Sequence, residues 1–246
     1  MLLRKFKKEY VVKSYEADAH GFLRIIALMN ILQDAADGSA IELGFGFEKC
    51  WQKGVSWVGS NYLIEINRLP KIHEKFVVET WPAEAKLWGA IRDFVVYDEA
   101  GAVLMKASSQ WVLVDIIKKR PVPLVKYFSE YKAIEERAIN IEFARTGSFE
   151  NPQSEQVFKV RFDDIDINNH VNNAVYPLWA SESVDKDWRE NHTPKRIEIW
   201  FKKEALYGQS VNVLTRFENN TSFHSVMDEK KENELARCNI EWKEVV

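Results

Sequence analysis

Between residues 163 and 173 the chain reads Asp-Asp-Ile-Asp-Ile-Asn-Asn-His-Val-Asn-Asn, a run of carboxylates and amides around one imidazole. Two chemistries suit such a run. Asp164, Asp166 and Asn168 fall at the first, third and fifth positions of a calcium loop. The sixth position, however, is Asn169 where Gly is needed, and the twelfth is Val175 where a bidentate Glu is needed, so calcium binding is set aside. The second chemistry is stabilisation of a developing negative charge on a carbonyl oxygen beside a helix start. Backbone N–H groups and the positive end of a helix dipole suit a carbonyl oxygen that gains negative charge, and a His and an Asn there add donors or hold water. The plain alternative is an Asx-rich turn in which Asn172 or Asn173 caps the next helix and the other polar groups are solvated.

Two carboxylates offer themselves as a base. Val175, Leu178, Trp179 and Glu182 follow helical spacing, so Glu182 interrupts a face that ought to be buried, and burial would raise a carboxyl toward the range of a useful base. A Glu at the helix end that reaches solvent or pairs with Arg or Lys is the competing reading. Glu204 follows Lys202-Lys203 at the end of an apolar strand, where an ordinary charged strand end is the alternative.

The elements that must position these groups come twice. In the first half, Tyr10-Val11-Val12 reads as strand. From Ile25 to Leu43 one helical face carries Ile25, Leu28, Met29, Leu32, Ala35, Ala36 and Leu43, with Gly44 as a stop. Segments rich in β-branched and aromatic residues follow at 56–66, 75–81, 90–97 and 103–114. The second half repeats the order: a strand at 156–162, a shorter helix at 174–184, and strands at 196–201, 210–217, 222–226 and 235–242. Setting Val12 on Val160 without gaps also sets Asp18 on Asp166, Asp34 on Glu182 and Asp37 on Asp185, which makes internal duplication the working hypothesis. Lys118-Lys119-Arg120-Pro121 opens a connection with a helix expected around 124–134 and a polar stretch through Ser154. A long apolar helix face needs a sheet to cover it, so each half is expected to be a helix laid on a curved antiparallel sheet, an α+β fold.

With 246 residues, 46% of them apolar and 29% charged, the chain can bury a core and lies far from the composition of disorder. No uncharged apolar run approaches the roughly 18 residues of a bilayer span. Met1-Leu2-Leu3 gives way at once to Arg4-Lys5, so a soluble, cytoplasmic protein is expected. Cys50 and Cys238 stand alone, which offers neither a disulfide framework nor a zinc site. A net charge of -3 with a pI near 6.0 argues against nucleic acid as the main partner.

The run Asp164-Ile165-Asp166-Ile167-Asn168-Asn169-His170-Val171-Asn172-Asn173, followed by Tyr176, Trp179, Glu182 and Ser183, resembles the Asp-x-Asn-x-His-Val-Asn-Asn signature of the plant and bacterial acyl-acyl-carrier-protein thioesterases. Weaker echoes are Leu28-Met29-Asn30 with Leu32-Gln33, Asn67-Arg68 with Pro70, Thr80-Trp81, Arg92-Asp93 and Glu241-Trp242-Lys243. The resemblance covers nearly the whole chain and implies a tandem double hot-dog fold. Residues 1–117 would be an N-terminal hot-dog that receives the acyl chain, 118–155 a connection, and 156–246 the catalytic hot-dog.

By the same resemblance, Asp166, Asn168 and His170 match the family's catalytic Asp, Asn and His, and Glu204 matches the Glu that activates water. Plant members carry a Cys directly after that Glu where this chain has Ala205, so direct attack by water is expected in place of a thiolate mechanism. Glu182 stays as an additional candidate. Met29, Leu32, Trp57 and Trp88 are candidate acyl-pocket residues, each with a core role as the alternative. The implied partner is an acidic acyl carrier protein bearing a phosphopantetheine-linked acyl chain. Arg196, Lys202 and Lys203 are the candidate docking residues, with Lys118-Lys119-Arg120 behind them. No cofactor or metal is implied, and the oligomeric state is open, a homodimer included. The rival functions are a hot-dog dehydratase acting on 3-hydroxyacyl thioesters and a non-catalytic acyl-binding module.

Overall fold

A computed structural model describes residues 4–144, 147 and 149–245; Met1, Leu2 and Leu3 lie outside it. The chain divides into two compact units, Met1–Phe143 and Ala144–Val246. Among the described residues no helix is long and apolar enough to cross a membrane.

The first unit contains β1 (Phe6–Val11), α1 (Ile25–Glu42), α2 (Phe47–Gln52), β2 (Val55–Ile66), β3 (Lys75–Lys86), β4 (Gly89–Asp98), β5 (Val103–Asp115), the two-residue β6 (Arg120–Pro121) and α3 (Leu124–Tyr127). Its antiparallel strands run in the order β1-β3-β4-β5-β2, with β6 on β5. Helix α1 packs against β1 and β3. It buries Leu28, Met29, Ile31, Leu32, Ala35 and Ala36, and each of its large side chains contributes roughly 1.5–3 kcal/mol by leaving water. Gly38 lets the ring of Phe6 lie against the helix, since a Cβ there would come within 2.9 Å of it. The helix stops where Gly44 takes a positive φ of 81°.

Strand β3 extends past the expected end at Trp81 and runs through Pro82 to Lys86. Proline fits there because β1 pairs only as far as Thr80, which leaves that side of β3 without a partner strand that needs its N–H, and a bulge follows between Pro82 and Glu84. The helix expected over 124–134 is a single turn ending at Tyr127. The chain beyond it is bound to the sheet: Ile134 N–H donates to Pro82 O at 2.8 Å, Trp81 Nε1 to Glu136 O at 2.8 Å, and Ala138 N–H to the buried Asp93 carboxylate at 2.7 Å. Ser108 and Arg137 also donate to Asp93, at 2.6 and 3.0 Å.

The second unit contains β7 (Ser154–Lys159), α4 (Val175–Glu182), α5 (Lys186–Asn191), β8 (His192–Phe201), β9 (Ser210–Glu218), β10 (Thr221–Asp228) and β11 (Glu234–Glu244). The strand order is β8-β11-β10-β9-β7, all antiparallel. Strand β7 ends at Lys159 and not at Phe162, because residues 162–164 turn into a 3₁₀ helix. Helix α4 lies on β9, β10 and β11, above a floor of Val211, Val213, Val226, Ala236, Cys238 and Ile240 that is 0% exposed. The expected helix on an antiparallel sheet is therefore present in each unit.

One polar group sits within that core. His224 is fully buried, with Nδ1 3.0 Å from Thr215 Oγ1 and Nε2 2.8 Å from Ser222 Oγ, which also accepts from Trp242 Nε1 at 2.8 Å. Burial pushes the His224 imidazole down to about 3. The unfolded chain takes up this proton below pH 6.5 while the folded one refuses it. The group's contribution is thus complete above about pH 6.5 and declines by about 1.4 kcal/mol per pH unit on acidification toward 3. In urea denaturation between pH 6 and 4, His224→Gln is expected to remove about that much of the slope of stability against pH; an unchanged slope would contradict the assignment.

Candidate active site

The polar run of the second unit is a single folded loop. Asp164, 1% exposed, closes the 3₁₀ turn by accepting from Arg161 N at 2.8 Å and from the Arg161 guanidinium at 2.6 Å. The Asp166 carboxylate closes the next turn: Oδ1 accepts from the backbone N–H groups of Asn168 (2.8 Å) and His170 (3.4 Å), and Oδ2 accepts from Asn168 Nδ2 at 3.3 Å. Asp166 N–H returns to His170 O at 2.8 Å. Asn169 at the apex takes a φ of 62°, a conformation asparagine tolerates through its short polar side chain. This geometry leaves the side chain of Asn168 exposed and that of His170 part-buried.

Glu204 arrives from the segment after β8. Val171 N–H donates to Ala205 O at 3.0 Å, and Ala205 N–H donates to the hydroxyl of Tyr176 on α4 at 3.1 Å. Those bonds bring Glu204 Oε2 to 2.9 Å from His170 Nε2. With half of the Glu204 side chain in solvent, the pair adds little to stability, at most about 1 kcal/mol; its importance is geometric. Asp166, Asn168, His170 and Glu204 are thus brought together, and a solvent-facing carboxylate held on an imidazole beside a carboxamide donor can take a proton from water.

The other expectations fare differently. Glu182 does not join this group, and the burial expected of it is contradicted: it lies at the last position of α4, exposed and paired with Arg189 at 2.7 Å. Helix α4 ends there, so the apolar spacing that pointed Glu182 inward has no next turn to cover it. The N-cap of α4 is Ala174, without a side-chain cap; Asn172 forms a turn just before it, accepting from Ala174 N–H with its side chain and from Val175 N–H with its carbonyl, both at 2.9 Å, and Pro177 carries no N–H. The helix amides therefore offer an incoming oxygen less than the sequence suggested. Lys202 pairs with Glu234, Lys203 with Asn233 Oδ1, and Arg196 with Glu198 at 2.7 Å.

In the first unit, Met29 and Leu32 are core, 2% and 0% exposed. Trp57 is part-buried, its Nε1 donating to Phe45 O at 3.1 Å, and Trp88 is 47% exposed. Cys50 and Cys238 are both buried; desolvation pushes the Cys50 thiol up to about 11 and the Cys238 thiol higher still, so neither is a poised nucleophile. Tyr176 was absent from the sequence-based site. Its signals in the sequence are its position after the Asn172-Asn173 pair and its place among the residues that carry the family resemblance.

The duplication is written in hydrogen bonds. Asp18 Oδ1 accepts from the N–H groups of His20 and Phe22, both at 2.9 Å, and Asp18 N–H donates to Phe22 O at 2.8 Å, matching Asp166 with Asn168 and His170. Lys13 N–H caps on Glu16 as Arg161 N–H caps on Asp164, each at 2.8 Å. Leu23 N–H donates to Pro70 O as Val171 N–H does to Ala205 O. Lys71 N–H donates to the Glu74 side chain as Leu206 N–H does to Gln209. The first-unit loop has the same frame with Phe22 in the place of His170 and Leu69 before Pro70 in the place of Glu204.

Two family models cover the chain, the acyl-ACP thioesterase N-terminal domain over residues 3–131 and the C-terminal domain over residues 148–244. The chain belongs to the acyl-ACP thioesterase family. Its fold is the double hot-dog of that family. A solved structure from Lactobacillus plantarum, described as an oleoyl thioesterase, matches with a TM-score of 0.89 and 25% identity over 100% of this chain and 98% of that one. The 12:0-ACP thioesterase from Umbellularia californica shares the fold with a TM-score of 0.87 and 23% identity, over 98% of each chain. The oleoyl-acyl carrier protein thioesterase 2 of Arabidopsis thaliana is 27% identical over 239 residues, 87% of this chain and 63% of that protein. The first such curated relatives are longer, and this chain spans 52% to 63% of their length.

Because both turns rest on an aspartate, Asp18→Ala and Asp166→Ala are each expected to cost about 1–2 kcal/mol in thermal or urea unfolding. Only Asp166→Ala should shift the ring resonances of His170 in NMR spectra. A shift of equal size in Asp18→Ala would show that the two loops do not act separately.

Proposed function

We propose that this member of the acyl-ACP thioesterase family hydrolyses the thioester between a fatty acyl group and the phosphopantetheine of acyl carrier protein, releasing the free acid and the carrier's thiol. The observation that carries this reading is the 2.9 Å approach of Glu204 to His170 next to Asn168, in a chain whose thiols are both buried. Glu204 takes a proton from water as the oxygen attacks the thioester carbonyl. His170 holds the carboxylate and the water in line. Asn168 turns its amide from Asp166 to the developing oxyanion, a contribution on the order of 3 kcal/mol for a well-placed donor. Collapse of the intermediate breaks the carbon–sulfur bond, and the departing sulfur takes up the proton held by Glu204. Asp166 orients the loop and does not itself exchange a proton.

In this reading the first hot-dog receives the acyl chain, with Trp57 and Trp88, whose indoles are not fully buried, as its lining and with Met29 and Leu32 as the packing behind it. The acidic carrier docks on Lys202, Lys203 and Arg196, near Glu204 in sequence, exchanging their present acidic and amide partners for its own carboxylates.

The test is free-thiol release from acyl carrier protein loaded with acyl chains of graded length. The wild type is expected to release thiol with a length preference, and His170→Ala and Glu204→Gln to lose about a hundredfold or more in kcat while remaining folded. Formation of an enoyl thioester without thiol release would assign the site to dehydration, and binding without turnover would make the loop a capped turn in an acyl-binding module.

A further inference from the structure

Tyr176 stands outside the residues that the reaction above uses, yet its position is closely determined. It is the second residue of α4 and 2% exposed. Its ring is wedged edge-on between Trp179 and Phe201, with centroids 5.5 and 5.6 Å away. The hydroxyl so fixed accepts the N–H of Ala205 at 3.1 Å, and the carbonyl of the same residue accepts Val171 N–H at 3.0 Å. Both polar backbone groups of Ala205, itself 0% exposed, are therefore held. One is held by the residue after His170 and the other by the helix beneath. Glu204, one residue earlier and largely in solvent, lies on a segment without regular structure and has His170 as its described ion-pair partner. We infer that Tyr176 is a positioning residue for Glu204, acting through the peptide N–H of Ala205.

The first unit supplies the comparison. There the carbonyl half of this grip persists, as Leu23 N–H to Pro70 O at 2.9 Å. The other half is gone on both sides. The residue in the place of Ala205 is a proline, which has no N–H to donate, and the residue in the place of Tyr176 is Leu28, which has no oxygen to accept it. Leu69 stands where Glu204 does, so the tyrosine grip is missing from the copy that lacks the carboxylate. The loop frame forms without it. A role confined to holding the fold would give no reason for this coincidence; a role in aiming the carboxylate does. Burial, reinforced by the charges of Glu204 and Asp166, pushes the phenol up to about 12, so it stays neutral beside the carboxylate it positions.

The inference rests on the function proposed above, and Tyr176→Phe separates the two. The substitution keeps the ring and removes the oxygen. Expected in the acyl-carrier-protein assay is a fall of about tenfold in kcat with KM changed less than twofold, and no further fall when the change is made in a Glu204→Gln background. A kcat equal to wild type, or the same tenfold loss in both backgrounds, would overturn it. If Glu204→Gln alone keeps full turnover, the proposed base is wrong. Tyr176 is then judged by NMR alone: a shift of the His170 ring resonances in Tyr176→Phe supports the grip, and unchanged resonances in a folded variant refute it.

Discussion

A carboxylate that accepts its neighbours' backbone N–H groups is the interaction on which the rest of the site depends. Asp166 satisfies the amides of Asn168 and His170 within a turn too tight to satisfy them itself. That leaves the Asn168 side chain exposed, its amide bonded to Asp166, and the His170 side chain against Glu204. The same interaction made by Asp18 shows that the turn forms without the His170–Glu204 pair, since Phe22 and Leu69 stand in their places there. The proposed catalytic residues are therefore added to a local structure that would exist without them.

The frame that carries this turn is held elsewhere. In each unit the energy comes from a helix face buried on an antiparallel sheet, while the exposed ion pairs near the loop contribute little. Two buried ionisable groups inside the sheets are answered by partners at close range. His224 sits between two hydroxyls, and Asp93 gathers Ser108, Arg137 and the Ala138 amide, fastening the chain after α3 to the face of the sheet. Leaving such groups unanswered would cost more than a typical exposed contact gains.

Much of this was legible in the sequence, for identifiable reasons. The long strands and α1 announce themselves by apolar periodicity, and most of their observed ends lie within a residue or two of the expected ones, but β8 begins at His192 where 196 was expected, and β1 at Phe6 where Tyr10 was expected. Strand β3 exceeded its expected length because the meaning of Pro82 depends on where a neighbouring strand ends, which is a tertiary fact. Helices α2 and α5 went unread because six residues hold too little periodicity to register. Glu182 misled because helical spacing says which residues share a face but not where the helix stops. The Asp166–His170 cluster was visible as letters. The arrival of Glu204 was supplied by resemblance alone, and the tyrosine that grips its neighbour could not be seen, since residues 176 and 205 meet only in the folded unit.

The two copies of the loop also bear on how freely this protein can change. A turn that closes on its own aspartate places no demand on the side chains it displays, so the positions proposed to react carry little of the protein's stability. Exchanging them alters what the loop does without endangering the fold, and the first unit records one outcome of such exchange, with His20, Phe22 and Leu69 shown on the same backbone. The architecture thus separates the turn that holds the fold from the side chains it displays, and it keeps within one chain a second loop on which different side chains are shown.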